Sequence, residues 1–395
     1  MMSLSVYLHI PFCTHRCSYC DFNTYAGLEN LISDYVRALC REIEILGENL
    51  PDSYRNKVHT IYFGGGTPSL LSPEQIKAVL TSLKHEFGFD ANLEISLEAN
   101  PGTLSLAKVQ AYKDLGVNRL SIGFQTANER ELQLLGRIHT LGDVVQAVNI
   151  ARLAGIRNLN LDLIYGLPQQ TLKDWENSLQ IALSLEVEHL SLYSLTIEEG
   201  TLMEERIRKG ELTYPDSDLG ADCYELACEL LAKASYVHYE ISNWAKPTDK
   251  GHNFCRHNLQ YWKNRDYVGI GAGAHGFISG FRLSNVLHPA HYIQKMKTPL
   301  QNAFPFTPAT VNAHRVDSEE EMRDTVLLGL RLTQDGVGEE DFYQRFGKRL
   351  SDVFPVEIDR LLKKGLVEWI ETDQPRLRLT RFGQLLGNQA FLEFV

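Results

Sequence analysis

The chain of 395 residues lacks an uninterrupted apolar run of the ~18 residues that a membrane-spanning helix needs. It also lacks an excess of positive charge: 39 Lys and Arg stand against 50 Asp and Glu, a net charge of −11. Binding to a phosphate backbone depends on clustered cations, so nucleic acid is not an expected partner. Met1-Met2-Ser3-Leu4-Ser5 leads to His9 and Cys13 without a basic stretch followed by an apolar one. No secretory signal is expected, and the expected location is the cytoplasm. Cysteine is scarce and uneven. Seven are too few in a chain of this length for a disulfide scaffold, yet three fall within eight residues.

What is abundant is alternation. Short apolar runs at Val6–His9, Thr60–Phe63, Glu94–Glu98, Arg119–Gly123, Leu159–Ile164 and His189–Tyr193 read as strands. Segments with helical spacing separate them: Asp34–Leu50, Pro73–Phe87, Ser105–Leu115, Asp143–Ala154 and Leu172–Leu185. Ser72 before Pro73 is a good N-cap, and Gly116 and Gly155 suit helix ends. Strands alternating with helices predict a parallel α/β sheet, either open or curved into a partial barrel. The pattern changes after about residue 205. Leu219–Ala234 reads as a helix, Val237–Leu283 as short strand-like pieces, and Thr298–Pro308, with three prolines, as a linker. Helices from Glu319 to Leu332, Asp341 to Phe346 and Val356 to Lys364 then precede a hairpin, Leu366–Ile370 and Arg376–Leu379, turning at Thr372-Asp373-Gln374-Pro375. That order suits a winged-helix-like module. From Gln301 on it holds 12 Lys and Arg against 16 Asp and Glu, which argues against reading DNA. The expected division is a core over 1–240, an extension over 241–300 and a C-terminal domain over 301–395.

The three clustered cysteines are Cys13, Cys17 and Cys20, spaced C-x3-C-x2-C directly after the first strand. Common zinc sites pair C-x2-C with a distant second pair, so a zinc site here would need a remote His. A four-iron cubane held by three cysteines keeps one iron open to a ligand. Three unrelated core cysteines are the bland alternative.

With Tyr19 as the aromatic before Cys20, the motif resembles the signature of the radical S-adenosylmethionine (SAM) superfamily. The resemblance implies a partial (β/α)6 barrel, a [4Fe–4S] cluster on Cys13, Cys17 and Cys20, and SAM chelated at the open iron. The segments Tyr7-Leu8-His9-Ile10-Pro11-Phe12-Cys13 and Asp162-Leu163-Ile164-Tyr165-Gly166-Leu167-Pro168 narrow it to the branch that holds oxygen-independent coproporphyrinogen dehydrogenase (HemN) and the HemW haem chaperones. It implies SAM contacts at Tyr7, Gly65, Gly66, Thr67, Glu98, Gln125, Arg137 and Asp162. Gly64-Gly65-Gly66-Thr67-Pro68 would cradle the methionyl amino group, Arg137 would hold its carboxylate, and Glu98 and Asp162 would accept from ribose hydroxyls.

Two features choose within that branch. The dehydrogenase carries a further cysteine two positions after the third ligand, where this chain has Phe22. Decarboxylation of coproporphyrinogen is therefore not expected. His257-Asn258-Leu259-Gln260-Tyr261-Trp262 resembles the H-N-x-x-Y-W motif attributed to haem binding in HemW proteins. His257 would ligate haem, with Cys255 the alternative, and Tyr261 and Trp262 would offer flat apolar surface. Gly271-Ala272-Gly273-Ala274-His275-Gly276 matches G-x-G-x-x-G, but a strand and turn follow it, so close backbone packing is expected and no nicotinamide site. Cys40, Cys223 and Cys228 read as packing residues. The expected function is a haem chaperone passing haem to acceptor proteins, with an electron donor for its cluster. The competing readings are a porphyrinogen dehydrogenase and a radical-SAM enzyme with another substrate.

Overall fold

The computed structural model describes residues 3–248, 251–298, 304–370 and 374–395. They form two compact units, one made of Met1–Cys223 with Asp266–His314 and the other of Tyr224–Arg265 with Arg315–Val395. The chain therefore leaves the first unit, contributes to the second, and returns.

In the first unit six strands lie side by side in chain order: β1 (Leu4–Ile10), β2 (Val58–Gly65), β3 (Phe89–Ala99), β4 (Arg119–Gln125), β5 (Asn158–Tyr165) and β6 (His189–Ser194). Every neighbouring pair is parallel. A parallel sheet is covered by helices on its faces, which is why β4 is buried along its whole length. The crossovers are helices α1 (Ile32–Glu48), α2 (Pro73–Glu86), α3 (Leu106–Asp114), α4 (Glu129–Leu134), α5 (Leu141–Leu153) and α6 (Leu172–Ser184). Capping boxes at Ser72/Gln75, Thr140/Asp143 and Thr171/Asp174 start α2, α5 and α6 by satisfying backbone N–H groups that have no partner inside the helix. The chain turns after α3 and α5 at Gly116 and Gly155, both with positive φ.

The free edge of β1 takes a strand from far along the chain. β7 (Tyr267–Ile270) pairs parallel to it, with Tyr7 opposite Gly269. β8 (His275–Ile278), β9 (Phe281–Asn285) and β10 (Thr310–Arg315) follow outward. The sheet is thus open, with no β6–β1 pairing among the described residues, as a partial barrel requires. Gly271 and Gly273 follow β7 and His275 opens a strand, so the G-x-G-x-x-G segment has no helix behind it. A Cβ on Gly271 would lie 2.6 Å from the Tyr35 hydroxyl and 2.7 Å from the His9 carbonyl, which makes this glycine a packing requirement.

Glu42 on α1 ties that segment down. Its buried carboxylate accepts from the Tyr292 hydroxyl at 2.6 Å, the Gly271 N–H at 2.8 Å, the Thr307 hydroxyl at 2.8 Å and the Asn285 amide at 2.9 Å. The expected linker Thr298–Pro308 is corrected in part: residues 299–303 lie outside the described set, and Thr307 is packed into this network rather than loose.

In the second unit, helices Ser318–Gly329, Glu339–Phe346 and Pro355–Lys363 pack with strands Val337–Gly338, Val367–Ile370 and Arg376–Leu379 around Met322, Val326, Phe342, Leu361 and Leu377. Three helices with a small antiparallel sheet give the winged-helix-like module; the Thr372-Asp373 part of the expected turn lies outside the described residues. One element departs from expectation. Within the stretch read as strand-like pieces, Arg256–Trp262 is an α-helix, because this short run, following Cys255, buries His257 and Gln260 on one face.

Candidate cofactor site

Beyond the C-terminal ends of the parallel strands, the first unit holds a cavity of about 360 Å³, within the usual range of small-molecule sites. Cys13, Cys17, Cys20, Gly65, Gly66, Thr67, Glu98, Gln125, Arg137 and Asp162 all line it. Tyr7 does not. Its ring stacks on Tyr62, which does line the cavity, and its hydroxyl lies 3.0 Å from His9 Nδ1.

The cysteine loop is fastened from several directions. Phe12-Cys13 pairs with Tyr25-Ala26, closing the loop on itself. Ser18 donates from its backbone to the Leu135 carbonyl at 3.0 Å and from its hydroxyl to the Leu134 carbonyl at 2.7 Å. The Asn23 amide donates to the Ala272 and Leu287 carbonyls at 3.1 and 2.9 Å, so the segment after β7 is a buttress for this loop. Among the described residues no three His, Cys, Asp or Glu side chains converge as a single metal ion demands. The three thiols line one cavity, and three cysteines from one loop can hold one side of a multi-iron cluster.

The glycine run serves the loop before any ligand. Gly66 and Thr67 donate their backbone N–H groups to the Ile10 and Phe12 carbonyls, each at 2.8 Å. A Cβ on Gly66 would lie 2.7 Å from the Phe12 oxygen and 2.9 Å from Cys13 Sγ. Gly65, at φ +114°, leaves its missing side chain to the His9 ring and donates to Glu98 Oε2 at 3.0 Å.

Two carboxylates give the cavity its polarity. Glu98 also accepts from the Tyr62 hydroxyl at 2.9 Å; burial, and then the nearby Asp162, push its carboxyl up to about 7. Asp162 accepts from the Ser121 hydroxyl and the Asn160 amide, both at 2.8 Å, and burial pushes it up as well. A cationic ligand bearing hydroxyl donors would relieve both acids. Gln125 adds a second unmet demand: its backbone is left-handed at φ +59°, and its buried amide oxygen has no hydrogen-bond partner. An orphaned acceptor and two strained acids beside three thiols fit a bound cluster and a polar organic cation.

Sequence reasoning missed Asn100, which lines the cavity and accepts from Arg137 Nη2 at 2.8 Å. Its spacing of two from Glu98, one residue past the end of that strand, was the available signal. Phe22 lines the cavity too, with 68% of its surface exposed.

His257, Tyr261 and Trp262 belong to the second unit. His257 is fully buried, and its Nε2 lies 2.9 Å from the Tyr261 hydroxyl. The Arg331 guanidinium sits 4.2 Å from the Trp262 ring centre and pairs with the buried Glu240 at 3.2 Å. Cys255 is buried and its N–H donates to the Tyr239 hydroxyl. Cys223 and Cys228 are buried as expected, and Cys40 is half-buried.

Residues 7–182 match the radical SAM superfamily and residues 316–386 match the HemN C-terminal domain. The chain is 39% identical over 394 residues to the haem chaperone HemW of Bacillus subtilis, covering 99% of both proteins. It is 41% identical over 298 residues to HemW of Escherichia coli, covering 74% of this chain and 76% of that one. Among solved structures, coproporphyrinogen III oxidase (HemN) of Escherichia coli has a TM-score of 0.82 at 24% identity, covering 100% of this chain and 90% of the other, a likeness of fold.

Proposed function

The chain belongs to the HemW family of radical SAM proteins, and from that premise we propose that it binds haem and transfers it to acceptor proteins while carrying a [4Fe–4S] cluster and SAM. The observation that carries this reading is similarity along the whole chain to relatives named haem chaperones, combined with Phe22 at the position where the dehydrogenase has a cysteine.

Cys13, Cys17 and Cys20 would hold the cluster. When bound, the cluster and SAM together supply one-electron chemistry. The chain's own part is placement. Arg137 would orient the methionyl carboxylate, Gly65, Gly66 and Thr67 the amino end, and Glu98 and Asp162 the ribose hydroxyls. Gln125 would offer its unpaired amide oxygen, and Tyr7 would act from behind Tyr62. His257, Tyr261 and Trp262 would receive haem, which requires the helix Arg256–Trp262 to release a histidine that is buried in the second unit. An electron donor and haem-accepting proteins are the partners of this reading. A reducing cytosolic setting belongs to this reading too, since cluster ligands must stay reduced thiolates.

Haemin added to purified protein tests it. A Soret band that appears with the wild type and is lost in His257→Ala supports the reading, and no band from the wild type removes it. Formation of protoporphyrinogen from coproporphyrinogen by the cluster-loaded protein would replace it with the dehydrogenase reading. Cys17→Ser is expected to abolish the brown iron–sulfur chromophore.

A further inference from the structure

Arg137 Nη1 lies 3.3 Å from Cys17 Sγ, while Nη2 donates to Asn100 Oδ1 at 2.8 Å. On its other side Asn100 Nδ2 donates to Thr67 Oγ1 at 3.0 Å, and that hydroxyl donates to Cys13 Sγ at 3.5 Å. The four bonds make an arc from one cysteine to another, with Asn100 at its centre. The two ends of the amide have different duties, one accepting and one donating, so the arc fixes which way Asn100 faces.

Asn100 is itself held. Its N–H donates to the Ser69 hydroxyl at 3.3 Å, and its carbonyl accepts from the Thr103 hydroxyl at 2.7 Å. Gly123 leaves the room for the guanidinium, since a Cβ there would lie 2.8 Å from Arg137 Nη2. Arg137 makes no ion pair with a carboxylate among the described residues. Two of its five N–H donors are used in the arc, and the others stay available to a ligand.

We propose that Asn100 is a positioning residue that aims the Arg137 guanidinium at Cys17 and the Thr67 hydroxyl at Cys13, and thereby raises the reduction potential of the cluster. The inference rests on the cluster reading above. The reduced cluster carries one more negative charge than the oxidised one. Donor hydrogens and a cation at its sulfurs therefore stabilise the reduced form more, and hydrogen bonds to sulfur are an established determinant of such potentials. Leucine in place of Asn100 keeps the branched heavy-atom skeleton and removes both bonds.

The test uses full-length protein reconstituted with iron and sulfide, titrated with dithionite as the one-electron reductant and followed by electron paramagnetic resonance. Iron and sulfide content is measured alongside. At the potential that half-reduces the wild-type cluster, Asn100→Leu is expected to lower the reduced-to-oxidised ratio about tenfold, equivalent to about 59 mV for one electron. Thr67→Val is expected to shift it in the same direction by less, because only the Cys13 end of the arc is lost. An unchanged potential in a fully loaded Asn100→Leu overturns the proposal. If that variant loads no cluster, an unchanged potential in Thr67→Val overturns it instead. A wild-type protein that takes up no cluster refutes the underlying cluster reading, an outcome distinct from either.

Discussion

His257 and Tyr261 stand one helical turn apart on Arg256–Trp262, with Nε2 and the hydroxyl 2.9 Å apart and the ring planes at 89°. The bond occupies the nitrogen of a fully buried imidazole that haem ligation would need. Tyr261→Phe removes a hydrogen bond worth about 1 kcal/mol net and is expected to tighten haem binding about fivefold in a Soret titration. His257→Ala is expected to abolish the band. A band that survives in His257→Ala would move the axial ligand elsewhere.

Glu98 gives the site a pH dependence. Its carboxyl has an ordinary value of 4.5 and is raised to about 7 in the fold. Between those values the folded protein holds a proton that the unfolded chain has lost, so this group's contribution to stability falls as pH rises through the window. Glu98→Gln is expected to raise Tm at pH 8 relative to wild type and to leave it nearly unchanged near pH 4.5. Cationic SAM favours the ionised carboxylate, so calorimetry near neutrality should show proton release on binding and an affinity that climbs from pH 6 to pH 8. Equal affinity at both ends would exclude Glu98 from the contact.

Gly66→Ala places a methyl group 2.7 Å from the Phe12 oxygen and 2.9 Å from Cys13 Sγ. Overpacking of this kind costs about 1–3 kcal/mol, and here the cysteine loop is what must move. Iron content after reconstitution should drop at least twofold while far-UV circular dichroism stays as in wild type. Full loading would mean the loop tolerates the shift.

Glu42→Ala strands the Tyr292 hydroxyl and the Gly271 N–H in the interior, and takes one of two partners from the Asn285 amide and from the Thr307 hydroxyl as donors. Buried donors left without an acceptor cost about 1–3 kcal/mol each, and the expected loss in urea unfolding is at least about 2 kcal/mol. Glu42→Gln, which keeps one carbonyl acceptor, should lose less. Equal losses would show that a neutral carbonyl acceptor contributes nothing and that the network depends on the carboxylate.

Much of the site was legible because the residues that line the cavity crowd into short motifs and strand ends. Cys13, Cys17 and Cys20 sit in one loop, and strand-end positions such as Glu98, Gln125 and Asp162 converge once the sheet is parallel, as all three line one cavity. Asn100 escaped notice because an Asn-Pro pair after a strand reads equally well as a turn. The helix carrying His257 escaped because seven residues give a periodicity too short to separate from strand-like neighbours.

The sequence by itself determined the alternation of strands and helices, the C-x3-C-x2-C spacing, and the phenylalanine where a further cysteine would have pointed to another activity. These are local properties, set by residue type and interval. Only the tertiary structure decided that the segment after residue 266 returns to β1 and buttresses the cysteine loop through Asn23, that the glycine run packs against that loop, and that His257 is buried. Each depends on contacts between residues distant in the chain, and pairings across such separations leave no trace in local composition.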